Sequence, residues 1–391
     1  MRIAHLADAH LGFRQFQRLD AHGVNQREMD VSLAFQRAVD QVIARRPDAV
    51  VIAGDLFHTV RPTNRAIIQA FTQLARLRHD LPGAPVVLIA GNHDTPRSIE
   101  SGSILRLMAN IGVDVVDAEA RTISYPLLDL AVHAVPHAAL LRERPEAGYR
   151  PSGPARHHVL VMHPEIAGLF PEVMDYGGAR VEAAALRSAE WSYVALGHYH
   201  VTKEVAPRAW YAGSLEYTSP NLWGEVQQER HGITKCWLLA DLETGRVEPV
   251  ALPPGRRIFD LDPLDAEGLT AAEVDAAIAA RVAGVPGGIA DAVVRLVALN
   301  VPRSLGIALD HKALRIFKAT ALHFQLDLRR PDPFPRTVGS GAPGKRELLP
   351  EVVARYLQGY PLDADLDRAR FSALGREAID AVERELQEGG A

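Results

Sequence analysis

The chain has 391 residues, 47% hydrophobic and 23% charged, an ordinary globular composition with length enough for two or three domains. Its formal net charge of −5 excludes a global basic field for nucleic acid, so such binding would rest on a local patch or on metal ions that offset phosphate charge. One cysteine, Cys236, excludes an intramolecular disulfide framework and a thiolate metal site. With no signal-peptide anatomy before the first strand and no apolar run of roughly 18–20 residues, a cytoplasmic protein without a membrane span is expected.

Residues 3–7 read as a first strand that stops at Asp8-Ala9-His10. Val31, Ala34, Phe35, Ala38, Val39, Val42 and Ile43 then keep the rhythm of an amphipathic helix over 28–46, which Pro47 ends. A strand at 49–53 runs into Gly54-Asp55. Pro62 suits the first turn of a second helix, with Ile67, Ala70, Phe71 and Leu74 on one face. A strand at 86–90 runs into Gly91-Asn92-His93-Asp94. Alternation of this kind, to about residue 116, predicts βαβ units. After it the strands come closer together, at 128–135, 159–162, 193–196, 210–211, 233–239 and 247–251, with a loop at 142–156. His163 follows one of these strands and Gly197-His198-Tyr199-His200 another. The expected class is α/β, a two-layer β-sandwich flanked by helices.

Pro253-Pro254-Gly255 closes that region. A helix at 270–283, a strand at 292–299 and a helix at 310–321 then predict a small α/β domain. A proline- and glycine-bearing linker follows, and a helical tail broken at Gly359-Tyr360-Pro361. The expected divisions are 1–255, 256–335, a linker at 336–345 and a tail at 346–391.

The polar clusters share one property: each stands where an apolar run stops. Buried parallel strands look like those runs, and open α/β sheets bind ligands at the carboxyl ends of such strands. Asp8 and His10, two apart, can point the same way, although an Asp-x-His pair also caps turns. Gly54-Asp55 is also common turn chemistry, but as a strand-end signal it makes Asp55 a candidate bridging carboxylate. Asn92 offers a neutral oxygen. His93 is suited to act as an acid or a phosphate contact, and Asp94 to hold His93 in one tautomer; the alternative is a polar loop with an Asn-initiated turn. His163 reads either as a buried, satisfied histidine or as a ligand. His198 and His200 can both approach a pair of ions, or belong to a surface loop. Oxygen and imidazole donors gathered together suit Mn2+, Fe2+ or Zn2+.

Taken jointly and in order, these clusters resemble the calcineurin-like metallophosphoesterase superfamily, over about residues 1–215. That resemblance implies a β-sandwich flanked by helices and two divalent metal ions. Asp8, His10, Asp55 and His200 would bind one ion, and Asp55, Asn92, His163 and His198 the other, with Asp55 bridging. His93 would protonate the leaving oxygen or stabilise developing charge. The runs His5 to Gly12, Ala53 to His58 and Tyr211 to Glu216 look like the DNA-repair exonuclease branch, which holds SbcD- and YhaO-type nucleases and the nuclease subunit of the double-strand-break repair complex. By that resemblance His58 is a second active-site histidine that places the phosphate or DNA end. The 256–335 segment would be a DNA-contacting cap. The tail would dock on an SMC-like coiled-coil ATPase or pack on its own body, and the chain would form a homodimer. The implied activity is Mn2+-dependent double-strand DNA exonuclease, with endonuclease activity on single strands. The alternatives are a small-molecule phosphodiesterase or protein phosphatase on the same site, and a DNA-end tethering scaffold. Arg14, Arg18, Arg61, Arg65 and Arg97 are candidate phosphate contacts.

Overall fold

The computed structural model describes residues 1–96, 102–142, 148–169, 178–229, 234–331, 355–362 and 367–388. They fall into two compact units. One comprises Met1–Asp260 with Ile289–Val294 and Lys318–Phe324; the other comprises Leu261–Gly288, Arg295–Phe317 and Gln325–Ala391.

In chain order the first unit contains β1 (Arg2–Leu6), α1 (Gln26–Arg45), β2 (Ala49–Ile52), α2 (Asn64–Asp80), β3 (Val86–Ile89), β4 (Asp114–Val116), β5 (Arg121–Tyr125), β6 (Leu130–Val135), α3 (His137–Arg142) and β7 (His157–Met162). It continues with β8 (Pro164–Ile166), β9 (Ala179–Val181), β10 (Tyr193–Leu196), β11 (Lys203–Ala206), β12 (Ala209–Tyr211), α4 (Leu222–Glu229), β13 (Cys236–Asp241) and β14 (Val247–Ala251). Two six-stranded sheets result, ordered β14-β13-β1-β2-β3-β4 and β11-β12-β10-β7-β6-β5. β1, β2, β3 and β4 run parallel, as do β6, β7, β10 and β12.

The apolar runs alternate between two buried faces. Ala4, Leu6, Val50, Ile52, Val86 and Leu88 meet Val31, Ala34, Phe35 and Ala38 of α1 and Leu74 of α2. Ile3, Val51, Val87 and Ile89 instead meet Val132, Val159, Val161 and Ala195 of the other sheet. On that sheet's far side Leu160, Met162, Val194 and Leu196 pack with Leu140, Leu186 and Trp191. Each valine, leucine, isoleucine, phenylalanine or methionine among them contributes about 1.5–3 kcal/mol by leaving water, and together they hold the strand ends in register. The expected sandwich flanked by helices is present.

Local chemistry sets the helix ends. Asn25 accepts the amides of Arg27 and Glu28 to start α1, and Arg46 ends it in left-handed backbone at φ 46°. Thr63 accepts the Ala66 amide to start α2, so the expected Pro62 stands just outside the helix rather than in its first turn. The strand expected at 233–239 begins at Cys236, and α3, α4, β4, β5, β8, β9 and β11 were not anticipated. α3 and α4 are too short for a helical rhythm to show, and β5 is a half-exposed strand without an apolar run.

In the second unit α5 (Ala271–Ala283) opens on a capping box, with Thr270 and Glu273 satisfying each other's backbone amides. Leu264 and Asp265 pair in parallel with Ala298 and Leu299. A helix at Arg368–Glu388 lies against residues 355–359, where Leu357 packs on Gly375 so closely that a methyl group at 375 would overlap it. The expected linker at 336–345 and the front of the tail, 346–354, lie outside the described residues. No helix among the described residues is long and apolar enough to cross a membrane.

Candidate dimetal site

The loops after β1, β2, β3, β7 and β10 meet at one edge of the sandwich. Their backbones are tied together before any side chain is considered. The amides of Asp8 and His10 donate to the carbonyls of Gly54 and Asp55 at 3.1 and 2.9 Å, and the Gly197 amide donates to Met162 at 3.0 Å. Asp8, His10 and Asp55 all adopt left-handed backbone, at φ 51°, 47° and 51°. Non-glycine residues in that region are strained, and such strain collects at functional sites. Two glycines have a steric reason to be there: a Cβ at Gly91 would overlap the Asp55 carboxylate, and one at Gly197 the Ala53 carbonyl.

All seven sequence-derived metal-ligand candidates converge here. His10 Nε2 stands 3.0 Å from His200 Nε2 and 3.6 Å from Asp55 Oδ2. His163 Nε2 lies 3.3 Å from Asp55 Oδ2, 3.1 Å from Asn92 Oδ1 and 4.0 Å from Asp8 Oδ1. Asn92 Oδ1 also faces His198 Nδ1 at 3.2 Å. His163 Nδ1 donates to the Ala53 carbonyl at 2.7 Å, which turns Nε2 inward. Asp8 accepts the His198 amide at 3.0 Å. Asp8, His10, Asp55 and His163 are fully buried or nearly so.

The electrostatics fit a cation. Burial pushes Asp8 up to about 8, with Asp55 adding to the effect against the opposing pull of His163. Burial alone would raise Asp55, but His163 outweighs it and holds that carboxyl well below the usual range. Burial would likewise lower His163, yet Asp55 and Asp8 hold it up at about 9. His10 and His200 are driven well below the ordinary imidazole value by burial. Thus burial and mutual charge favour the protonated forms of Asp8 and His163 and the neutral imidazoles of His10 and His200. Carboxylates, imidazoles and one amide oxygen in this mixture suit a borderline divalent ion.

His93 and His58 stand at the mouth of the cluster. The His93 amide donates to Asp55 Oδ1 at 2.9 Å, and its Nδ1 to the His58 carbonyl at 2.7 Å. The His58 and His93 rings stack 5.2 Å apart, and His58 Nδ1 is 3.3 Å from His10 Nδ1. Burial, with His93 adding to it, lowers His58 to about 4. Asp94 departs from its expected role. Its carboxylate takes the backbone amides of Leu56, Phe57 and Gly91, at 3.1, 3.0 and 3.1 Å, and pins those loops together; the His58 carbonyl is what fixes the His93 ring. Of the candidate arginines, Arg14 pairs with Glu28 at 2.7 Å and Arg18 donates to the Ala321 carbonyl at 2.9 Å. Arg65 touches Met29 Sδ at 3.3 Å, Arg61 is exposed, and Arg97 lies outside the described residues.

A cavity opens over the donors, walled by Tyr199, Thr218, Ser219, Asn221, Glu225 and Gln228. The profile of calcineurin-like phosphoesterases matches residues 1–202, more than half of the sequence.

The chain belongs to the calcineurin-like phosphoesterase family.

Within that family it is similar to the DNA double-strand break repair protein Mre11 of Sulfurisphaera tokodaii, 29% identical over 52% of this chain and 49% of that protein. The same-named protein of Methanopyrus kandleri is 30% identical over 59% of this chain and 51% of its own. That of Methanocaldococcus jannaschii is 26% identical over 59% and 61%. This calcineurin-like phosphoesterase thus spans about half the length of the curated relatives it matches.

Three buried residues beside the cluster escaped the sequence reading. His137, buried at the start of α3, is lowered to about 4 by burial and then by His163. The apolar run Leu130 to Val135 before Pro136-His137 was a usable signal for it. Glu225 and Lys235 gather behind His200, and nothing local in the sequence announces them.

Proposed function

We propose that this calcineurin-like phosphoesterase is a metal-dependent nuclease that hydrolyses DNA phosphodiesters in double-strand break repair. The observation that carries the reading is the convergence of seven donors, with His93 and His58 at the rim, in a chain similar to proteins of that repair function. Asp8, His10, Asp55 and His200 would hold one ion, and Asp55, Asn92, His163 and His198 the other. Mn2+ is the first choice, with Fe2+ or Zn2+ as alternatives set by supply. Bound ions of this class clamp a phosphate, acidify a water and stabilise entering and leaving oxygens.

The protein's own groups do the rest. The carbonyl of His58 accepts only, so His93 Nδ1 carries hydrogen and Nε2 is the atom at which a proton is delivered to the leaving oxygen. His58, lowered to about 4, is a neutral ring near pH 7. It stacks on His93, and its Nδ1 lies 3.3 Å from His10 Nδ1; with His10 Nδ1–H as the donor, the His10 Nε2 lone pair would face the ion site. The activity we propose for this centre is exonuclease action on double-strand ends, with endonuclease action on single strands.

Finer parts of the reading have their own supports. Met29 and Leu33 of α1 and Ile68 of α2 are exposed apolar side chains on neighbouring helices, which supports a homodimer. The 256–335 segment would cap the DNA, and the tail at 346–391 would dock on a coiled-coil ATPase, where Tyr356 and Leu374 are exposed. The buried free thiol of Cys236 supports a reducing, cytoplasmic setting.

A second reading, a small-diester phosphodiesterase, is favoured by one feature: among the described residues neither lysine nor arginine lines the cavity. Cleavage of end-labelled linear duplex DNA with Mn2+, beside hydrolysis of an aryl phosphodiester, separates the two. Shortened DNA ends support the nuclease; intact DNA with a hydrolysed aryl diester overturns it.

A further inference from the structure

Behind the donor cluster lies a buried charge that the hydrolytic chemistry does not use. Lys235, immediately before β13, has a side chain almost wholly removed from water. An ammonium in such a place is costly unless every proton finds an acceptor. Here the acceptors are specific. Nζ pairs with Glu225 Oε1, lies 3.2 Å from Glu229 Oε1, and donates to Ser214 Oγ at 2.8 Å and to the main-chain carbonyl of His200 at 3.0 Å. Its charge also stands 4.7 Å over the Tyr217 ring.

The same network reaches the His200 ring from the other side. His200 Nε2 points at His10 and the ion site, while Nδ1 faces Thr218 Oγ1 at 3.5 Å and Glu225 Oε1 at 4.0 Å. Ser214 Oγ donates to Glu225 Oε1 at 3.0 Å, and the Ser219 amide reaches Glu225 Oε2 at 3.3 Å. Lysine therefore grips the histidine's backbone, and the glutamate it pairs with stands 4.0 Å from the ring's far nitrogen, where Thr218 Oγ1 is the nearer polar atom at 3.5 Å and the glutamate acts by its charge. Glu229 shares the lysine but is turned to the Tyr217 hydroxyl at 2.7 Å.

We infer that Lys235 and Glu225 are positioning residues for the ion held by Asp8, His10, Asp55 and His200, acting through the backbone and ring of His200. A carboxylate beside the outer nitrogen of a ligating imidazole favours the tautomer with its lone pair on the inner one. Loss of such a partner typically weakens metal affinity about 10–100-fold. The inference rests on the two-ion reading above and adds residues no strand-end motif contains.

The test is equilibrium Mn2+ binding to the full chain, followed by the free-ion paramagnetic resonance signal, with circular dichroism melting of the metal-free protein alongside. Glu225→Gln keeps the shape and the lysine contact; Glu229→Gln changes the lysine's other partner. We expect wild-type protein to bind two ions and Glu225→Gln to bind one of them about 10–100-fold more weakly, while Glu229→Gln binds both as wild type does. Lys235→Met should resemble Glu225→Gln in binding; if that single variant melts early, the double variant Glu225→Gln/Lys235→Met restores the cluster's net charge, leaving Glu229 as the one carboxylate without its lysine but still bonded by the Tyr217 hydroxyl. Two ions bound equally well by Glu225→Gln and wild type would overturn the positioning role alone. Equal losses in Glu225→Gln and Glu229→Gln would also overturn it, because they reduce the network to general packing. Wild-type protein that binds fewer than two ions would overturn the two-ion reading itself.

Discussion

His93 and Asn92 are neighbours in the chain with different surroundings, and the different duties proposed for them are measurable. Asn92 presents its oxygen to two imidazoles, whereas His93 is held at the rim by a carbonyl and a carboxylate. His93→Leu should lower DNA cleavage about 10²–10⁴-fold, the usual worth of a general acid, while Mn2+ affinity stays near that of wild type. Asn92→Ala should lose cleavage and ion affinity together. Parallel nuclease assays and Mn2+ titrations on both variants check this, and equal ion loss in the two would remove His93 from its separate role. Another residue-scale effect concerns folding. His5 lies between the sheets, its Nδ1 3.0 Å from the Tyr193 hydroxyl, and burial lowers it to about 3 against the opposing bond to the Leu196 backbone. Its folded value lies below its unfolded one, so its contribution is whole above about pH 6.5 and is lost as pH falls toward 3. Stability should drop by about 1.4 kcal/mol per pH unit in that window from this group alone. Urea unfolding at pH 7 and pH 5.5 should show a smaller pH difference in His5→Gln than in wild type; the same difference in both would discard the assignment.

At the scale of elements, the strand ends work because the loops between them leave no slack. Asp55 follows β2, and its carboxylate presses against Gly91 at the end of β3, where any Cβ would strike it. Gly91→Ala should therefore push Asp55 from its place and cut Mn2+ affinity by more than tenfold, with an overpacking cost of about 1–3 kcal/mol. A variant that melts a few degrees lower but binds Mn2+ as wild type does would show that the loops yield. The legibility of these elements follows from their locality. Val50 to Ala53 and Val86 to Ala90 are buried on both faces, so each reads as an unbroken apolar run and the polar residues after it stand out. The rim histidine was harder. Asp94, one residue away, looked like the partner of His93. The partner is the main-chain carbonyl of His58, 35 residues distant and without any side-chain signature.

For the whole molecule, the tail and the ion site make separable predictions. Deleting 346–391 should abolish capture of a coiled-coil ATPase in a two-protein pull-down while aryl-diester hydrolysis persists; loss of both would count against a docking role. The order of the candidate donors and the α/β class were determined by the sequence itself, because buried strands and the polar residues that end them lie within a few positions of one another. Tertiary structure alone decided which nitrogen of each histidine faces inward, that Asp94 serves three backbone amides, and that Lys235 and Glu225 stand behind His200. Those outcomes depend on contacts between segments far apart in the chain. Their distances and angles follow from how two sheets pack together, and no local pattern of residue types encodes that packing.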